Sequence, residues 1–131
     1  MVNDPVADLI ARLKNAGAVG HKQVSLPYSR LKEAIALTLK KAGFVGEVAR
    51  DGDGAKKALT IELKYGKDGT PAIRGAKRLS KPGRRLYAGV RDIHPVKYGK
   101  GIMVLSTPRG ILVDAEARKT KTGGETLFTM W

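Results

Sequence analysis

The spacing between apolar residues changes along this chain, and that change restricts the fold more than any other feature. Near the start, Val6, Leu9 and Leu13 recur three and four positions apart, which is the period of one helix face. They follow Asp4 and Pro5. The carboxylate of Asp4 can accept hydrogen bonds from the free backbone N–H groups of a helix start, and Pro5 can occupy the first helical position because no N–H is needed there. We therefore predict a first helix that begins at this pair.

The helical period returns once more before it disappears. Ser29 has the residue type of an N-cap, and Gly43 stands where a helix commonly ends in a left-handed residue. The predicted buried stripe of this second helix contains Leu31, Ala34, Ile35, Thr38 and Leu39. Between the two helices, residues 21–26 alternate loosely enough to predict a short strand.

After the second helix the apolar spacing shortens to two, which is the period of a half-buried strand. Residues 44–50 and 59–63 predict two strands joined by the turn at 51–54, which is rich in glycine and aspartate. Residues 101–105 and 111–113 predict a second hairpin around a proline-containing turn. The later part of the chain is therefore expected to be mainly β.

A change of composition divides the chain into two predicted lobes. Gly, Lys, Asp and Thr dominate residues 66–71. We expect a helix–strand–helix–hairpin lobe over residues 1–66 and a mainly β lobe over residues 67–131. The second lobe is expected to contain one short helix, capped by Asp114, and a final strand. The predicted fold class is α+β, with two small lobes.

The charge of the chain points to a partner. Lys and Arg number 25 against 12 Asp and Glu, which gives a net charge of +13. Such an excess repels itself and is typical of proteins that bind a polyanion. An acidic membrane is the competing polyanion, but no apolar run has membrane-spanning length and neither helix combines a wide apolar face with a lysine-lined one. We therefore expect nucleic acid as the partner, and no membrane.

Most of the excess charge lies in the second lobe. Residues 67–131 carry 14 basic and 5 acidic side chains, whereas residues 1–66 carry 11 and 7. Between Arg74 and Arg91 seven basic residues occur without an acid, and Tyr87 lies among them. Cationic groups can contact phosphates while an aromatic ring lies against a sugar or a base. The alternative for this basic stretch is a solvated strand face.

Cysteine is absent, which excludes disulfides, thiolate metal sites and cysteine nucleophiles. The first residues lack the basic and then apolar pattern of a secretory signal. Both observations fit a reducing compartment, and we expect a cytoplasmic protein.

Two further segments of the second lobe place polar groups beside tight backbone. Ser106 and Thr107 bring small hydroxyls into a turn, where they can reach 2′-hydroxyls and base edges. Gly123 and Gly124 let another backbone come close, and Glu125 adds an acceptor for base amino groups. The alternatives are ordinary turn chemistry for the first segment and a helix end followed by a surface glutamate for the second.

The sequence predicts no catalytic site and no metal or cofactor site. His21 and His94 are the only histidines, and neither has a serine or carboxylate cluster beside it. Asp114 and Glu116 are two positions apart, so on a helix they would point away from each other. The chain also lacks a dinucleotide fingerprint and a phosphate loop. We therefore expect no enzyme activity, no cofactor and no small-molecule substrate.

Four motifs in register give the chain a family resemblance. They are Pro27-Tyr28-Ser29-Arg30-Leu31-Lys32, Ser80-Lys81-Pro82-Gly83-Arg84-Arg85-Leu86-Tyr87, Gly101-Ile102-Met103-Val104-Leu105-Ser106-Thr107, and the segment from Ala117-Arg118 to Gly123-Gly124-Glu125. In order and spacing, the chain resembles bacterial small-subunit ribosomal protein eight from about Asp4 to Trp131.

The resemblance implies a structural protein that binds the central domain of small-subunit ribosomal RNA directly, supports early assembly and has other small-subunit proteins as neighbours. It implies that the main RNA-binding residues lie in the second lobe, at Tyr87, Ser106, Thr107, Gly123, Gly124 and Glu125. The basic stretch and the turn add Lys81, Arg84, Arg85 and Arg109. The first lobe is expected to add phosphate contacts around Lys14, Asn15, Arg30 and Lys32.

The sequence departs from the family pattern at the turn. Pro108 and Arg109 stand there in place of a serine and a lysine, which removes one hydroxyl and one backbone donor. We therefore expect no contact that depends on that third serine.

Two other functions are alternatives to structural rRNA binding. Repression of translation, through a messenger RNA hairpin that imitates the rRNA site, is compatible with it and is known in the family. A nuclease or RNA-modifying enzyme belongs to a different class and would need a metal-binding carboxylate cluster, which the scattered acids do not form.

Overall fold

The computed structural model describes residues 4–52 and 54–131, so Asp53 of the predicted 51–54 turn lies outside the described residues. The chain forms two compact units, one comprising Pro5–Arg74 and the other comprising Gly75–Trp131 together with Asp4. Both contain antiparallel sheet and helix, and the predicted α+β class is confirmed. The functional division at residue 66 remains a prediction.

The first unit contains two helices and a three-stranded antiparallel sheet. The helices are α1 (Pro5–Ala18) and α2 (Arg30–Lys41). The strands are β1 (Gln23–Pro27), β2 (Val45–Asp51) and β3 (Ala58–Leu63), in the sheet order β1-β3-β2. Fully buried side chains from both helices and from β3 contribute to its core, among them Leu9, Leu13, Ile35, Leu39, Leu59 and Ile61. The predicted order of elements in this part of the chain is confirmed.

The ends of α2 follow the predicted signals. The Ser29 side chain accepts a hydrogen bond from the Lys32 N–H at 3.1 Å, which is the N-cap interaction. Gly43 has a φ of 90°, in the region where a Cβ would be strained, so glycine suits this helix end.

The prediction for the buried face of α2 is wrong at its first position. Ile35 and Leu39 are buried as predicted, but Leu31 has 39% of its surface exposed. Its neighbour Lys32 is buried instead, with 8% exposed, and Ala36 is also buried. A lysine stem is apolar and can cover a core while its charged end reaches water, and a pattern of apolar residues cannot show this.

The second unit is built around one central strand, β8 (Gly124–Met130). Its other strands are β4 (Ala76–Arg78), β5 (Tyr87–Ala88), β6 (Ile102–Thr107) and β7 (Gly110–Val113). The sheet order is β4-β8-β6-β7, and β5 also pairs with β8. Strand β6 takes one edge of β8, so β4 and β5 share the opposite edge, one at each end. The predicted hairpin around Pro108 is confirmed as β6 and β7.

One short helix, α3 (Asp114–Lys119), packs against the sheet of the second unit. Ala117 of this helix meets Leu105 of β6 and Ile93, and all three side chains are buried. Ala88 and Met103 pack around them. This small core occupies one face of the sheet and leaves the other face for different side chains.

Asp114 does not cap α3, so this prediction is wrong. Val113 is the N-cap residue and makes no side-chain cap hydrogen bond. The buried carboxylate of Asp114 accepts from the Met103 N–H at 3.1 Å through Oδ1, and Oδ2 pairs with Arg118 Nη1 at 2.9 Å. Asp114 therefore connects α3 to β6. From the sequence alone it has the features of an N-cap, and only the contact with Met103 shows its different role.

Asp114→Ser separates these two roles. Serine is a good N-cap residue but is too short to reach the Met103 N–H, so we expect the free energy of unfolding to fall by about 1–3 kcal/mol because a buried donor loses its acceptor. Asp114→Asn keeps an oxygen at the same reach and should lose less. Denaturant unfolding of both variants measures this, and a serine variant as stable as the parent would contradict the tie to β6.

Candidate nucleic-acid interface

Side chains from three separate segments lie side by side on the sheet of the second unit. Tyr87 of β5 and Ser106 of β6 both pair directly with Glu125 of β8. Residues directly opposite in antiparallel strands project to the same face, so these three side chains form one row. The residue before Ser106 in β6, Leu105, projects to the other face and packs under α3. The row is therefore on the face that α3 leaves free.

The row combines an exposed ring with two partly buried polar groups. Tyr87 has 73% of its surface exposed, whereas Ser106 and Glu125 are half-buried. An exposed aromatic ring contributes little hydrophobic stabilisation to the fold, so folding alone does not explain a tyrosine at this position. Such a ring is suited to stacking on an unpaired base.

Two glycines allow these strands to approach each other. A Cβ on Gly124 would lie 2.3 Å from the carbonyl oxygen of Ser106, and one on Gly123 would lie 2.6 Å from that of Ala88. Both obstacles are backbone atoms of paired strands, which cannot move without disturbing the sheet. The backbone that these glycines admit is therefore that of β5 and β6.

The carboxylate of Glu125 is held by two side chains. Its Oε2 accepts from Ser80 Oγ at 2.5 Å and from Arg85 Nη1 at 3.0 Å. The Glu125 side chain remains 15% exposed and that of Arg85 54% exposed. Both contacts use Oε2, and no side chain of residues 4–52 and 54–131 hydrogen-bonds to Oε1, so Oε1 can accept from a ligand.

These contacts lower the pKa of Glu125. Burial alone would raise it, but the hydrogen bonds from Ser80 and Arg85 and the positive charges of Arg85 and Arg78 outweigh burial. The hydrogen bond and charge of Glu125 raise the pKa of Arg85 in turn. Glu125 is therefore ionised at neutral pH. Its contribution to folding is present above the usual pKa of a glutamate and is lost as the pH falls through the lowered value.

Ser80 belongs to this site although the sequence analysis did not place it among the binding residues. Its side chain is fully buried, donates to Glu125 and accepts from the Leu86 N–H at 3.2 Å. The Ser80 N–H donates to the Thr126 carbonyl of β8. A serine in a basic, turn-rich segment has no periodic signal of burial, and its position within a family motif was the only available sign.

The two hydroxyls of the β6–β7 turn have different environments. Thr107 Oγ1 donates to the Gly110 carbonyl at 2.8 Å and accepts from the Arg109 N–H at 3.1 Å, so it performs ordinary turn chemistry. The Ser106 hydroxyl makes no hydrogen bond within the described residues. Pro108 and Arg109 are exposed at the tip. Ser106 therefore has its whole hydrogen-bonding capacity available to a ligand, whereas Thr107 keeps one acceptor position, and its predicted RNA contact stays a prediction.

The basic stretch contains both exposed and internally paired cations. Lys81 and Arg84 are exposed on a turn closed by two backbone hydrogen bonds between them, each 2.9 Å long. Arg78 is mostly buried and pairs with Asp4 through Nε and Nη2, at 3.1 and 3.2 Å. Lys81 and Arg84 can meet a phosphate, whereas Arg78 serves the fold of the second unit.

The residues predicted to bind RNA in the first lobe lie on two helices. Lys14 and Asn15 are exposed on α1, and Arg30 is exposed at the first residue of α2. Lys32, in the same turn as Arg30, is so little exposed that only its end could reach a ligand. Two cations in the first turn oppose the helix dipole, so helix stability does not explain them.

Within residues 4–52 and 54–131, no three His, Cys, Asp or Glu side chains are grouped as a metal ion would require. The same residues include no helix with the length and apolar character needed to cross a membrane.

A family model and similar proteins from several bacteria all indicate the same family. The family model described as ribosomal protein S8 matches residues 4–131. A protein of Rubrobacter xylanophilus named small ribosomal subunit protein uS8 is 48% identical, over 96% of both chains. Proteins of the same name are 47% identical in Chloroflexus aurantiacus, over 99% of this chain and 98% of the relative, and 47% identical in Nitratidesulfovibrio vulgaris over the full length of both.

Alanine substitutions at three glycines test the close approach of the strands. Gly124→Ala and Gly123→Ala should each lower the free energy of unfolding by about 1–3 kcal/mol, because the new methyl group meets a paired backbone. Gly83→Ala is the matched control, since no atom lies within 4 Å of its Cβ position, and it should stay within about 0.5 kcal/mol of the parent. Denaturant unfolding decides, and equal stability of all three variants would contradict the tight packing.

Proposed function

The chain belongs to the ribosomal protein S8 family, and we propose that it binds the central domain of small-subunit ribosomal RNA through the row of Tyr87, Glu125 and Ser106. Its relatives are named as proteins of the small ribosomal subunit, and family membership makes this chain a structural ribosomal protein rather than an enzyme. The predictions of the family and of a non-enzymatic function are confirmed on that basis.

The single observation that carries the proposal is the in-register row on a strongly basic protein. Charge alone supplies attraction to any RNA, because each neutralised phosphate releases counterions whatever the base sequence. Selectivity needs groups that read bases or sugar hydroxyls. The row offers an aromatic ring, a carboxylate acceptor and a hydroxyl on one face of one sheet, which is the complement that charge cannot supply.

Each member of the row has a distinct chemical role in the proposal. The Tyr87 ring stacks on an unpaired base or sugar. The Glu125 carboxylate takes a hydrogen bond from a base amino group, which an acceptor-only side chain recognises. The Ser106 hydroxyl, which can both donate and accept, meets a 2′-hydroxyl or a base edge. Gly123 and Gly124 contribute by letting the backbones of β5 and β6 approach β8, which keeps the three side chains of the row together.

The exposed cations supply the phosphate contacts. Lys81 and Arg84 precede Tyr87 in the sequence, Arg109 follows Ser106 at the hairpin tip, and all three cations are exposed. Arg109 keeps the positive charge that the family usually places there, while Pro108 contributes neither hydroxyl nor N–H. Lys14, Asn15, Arg30 and Lys32 are proposed as additional contacts from the first unit.

The same face supports the second role that the family implies. A messenger RNA hairpin that imitates the rRNA site would meet the same ring, carboxylate and hydroxyl, so repression of translation needs no further site. Neighbouring small-subunit proteins are the other proposed partners, and the ribosome is the proposed location.

Binding should depend steeply on salt. Each phosphate contacted contributes about 0.7–0.9 to the slope of log affinity against log salt, so a handful of contacts gives a slope of about −3 to −5 for a central-domain transcript. Lys81→Ala and Arg84→Ala should each reduce that slope by about 1. Filter binding between low and moderate salt measures it, and a flat titration would count against phosphate contact.

Charge and selectivity should separate by mutation. Lys81→Ala and Arg84→Ala should weaken the central-domain transcript and a shuffled RNA of equal length alike, because both present phosphates. Ser106→Ala should weaken only the central-domain transcript, by about 1 kcal/mol, because one neutral hydrogen bond is lost. Ser25→Ala, an exposed serine on β1, is the control and should bind as the parent does. Equal losses on both RNAs for Ser106→Ala would refute its role.

A further inference from the structure

We propose that Ser80 is the positioning residue of the Glu125 carboxylate and thereby sets the RNA selectivity of this face. The inference rests on the proposed function of the row. Ser80 has no exposed surface, so it cannot touch RNA and can act only through the groups that it holds.

The Ser80 hydroxyl joins two segments that carry the site. It donates to Glu125 Oε2 of β8 and accepts from the Leu86 N–H, one residue before Tyr87. Because one hydroxyl has one donor and two acceptor positions, its donor is committed to the carboxylate. Ser80 therefore fixes the carboxylate relative to the strand that presents the ring.

Arg85 cannot perform this role alone. It contacts the same oxygen of Glu125, but its long side chain is more than half exposed and its guanidinium is a preferred ligand of phosphate. An RNA phosphate near Arg85 competes with Glu125 for it. Ser80 is neutral and buried, so phosphate cannot reach it, and the carboxylate keeps its place when Arg85 turns to the RNA.

The competing explanation is that Ser80 only stabilises the fold through Leu86. The chain offers a matched control for this explanation in Thr126, another buried hydroxyl. Its Oγ1 donates to the Leu86 carbonyl at 3.4 Å, on the same residue that Ser80 contacts, but the carboxylate of Glu125 is not its partner. Thr126→Val removes that hydroxyl with nearly constant volume.

A double-mutant cycle in the full-length protein tests the proposal. The parent, Ser80→Ala, Glu125→Gln, the double variant and Thr126→Val are titrated with a central-domain transcript and with a shuffled RNA of equal length. Ser80→Cys is added as a conservative variant, since its thiol keeps a weak donor in a similar volume. Thermal unfolding of each variant shows that the folded protein is being compared.

Ser80→Ala should weaken the central-domain transcript about tenfold and the shuffled RNA less than about twofold, and Ser80→Cys should fall between it and the parent. Glu125→Gln should also lose about tenfold, and the double variant should bind no more weakly than Glu125→Gln, because Ser80 acts through the carboxylate. Thr126→Val should bind both RNAs as the parent does.

If the two single losses of affinity multiply, so that the double variant binds about a hundredfold more weakly than the parent, the proposal is overturned. A loss of affinity in Thr126→Val equal to that in Ser80→Ala would also overturn it. If Ser80→Ala does not fold, parental affinity of Ser80→Cys for the central-domain transcript overturns it and an intermediate affinity supports it. A parent that binds both RNAs equally well contradicts the proposed function itself, which distinguishes that failure from a failure of the role of Ser80.

Discussion

Strand β8 pairs along both edges, and the second unit depends on how closely its neighbours approach the start of that strand. Gly123 and Gly124 leave room there for the carbonyls of Ala88 and Ser106, at distances where no Cβ could stand. The approach brings three strands into register at one residue, Glu125. A side chain at either glycine would separate the strands, and the row of ring, carboxylate and hydroxyl would no longer exist. The packing of the sheet and the geometry of the proposed RNA-binding face are therefore one constraint.

A carboxylate at the centre of that face needs an explanation on a protein of net charge +13. Its charge repels phosphates, so it reduces general affinity for RNA. The surrounding groups nevertheless keep it ionised, since Ser80 and Arg85 lower the pKa of Glu125 against the effect of burial. Maintaining a charge that opposes general affinity is consistent with a role in selectivity, in which an acceptor distinguishes one RNA from others. In the proposed function, the exposed cations provide attraction, and the row of Tyr87, Glu125 and Ser106 provides discrimination.

The sequence predicted those parts of the fold whose signals are local. The N-cap Ser29, the helix end at Gly43 and the β6–β7 hairpin depend on residues close in sequence, and all three are confirmed. Contacts between residues far apart in the sequence could not be predicted. Asp114 resembles a cap until its partner in β6 is known, and the buried Ser80 lies 45 positions from Glu125. The short strands β4 and β5 have too few residues to show a period, and their pairing with β8 alone defines them.

Crosslinking in cells, with sequencing of the bound RNA and mapping of the crosslinked peptides, tests the central claim most directly. The exposed ring of Tyr87 is well placed to react with a stacked base. We expect a dominant RNA peak in the central domain of small-subunit rRNA, and crosslinked peptides that include Tyr87 or the segment around Glu125. A broad distribution over messenger RNAs, or crosslinks confined to segments outside the β5–β8–β6 face, would contradict it.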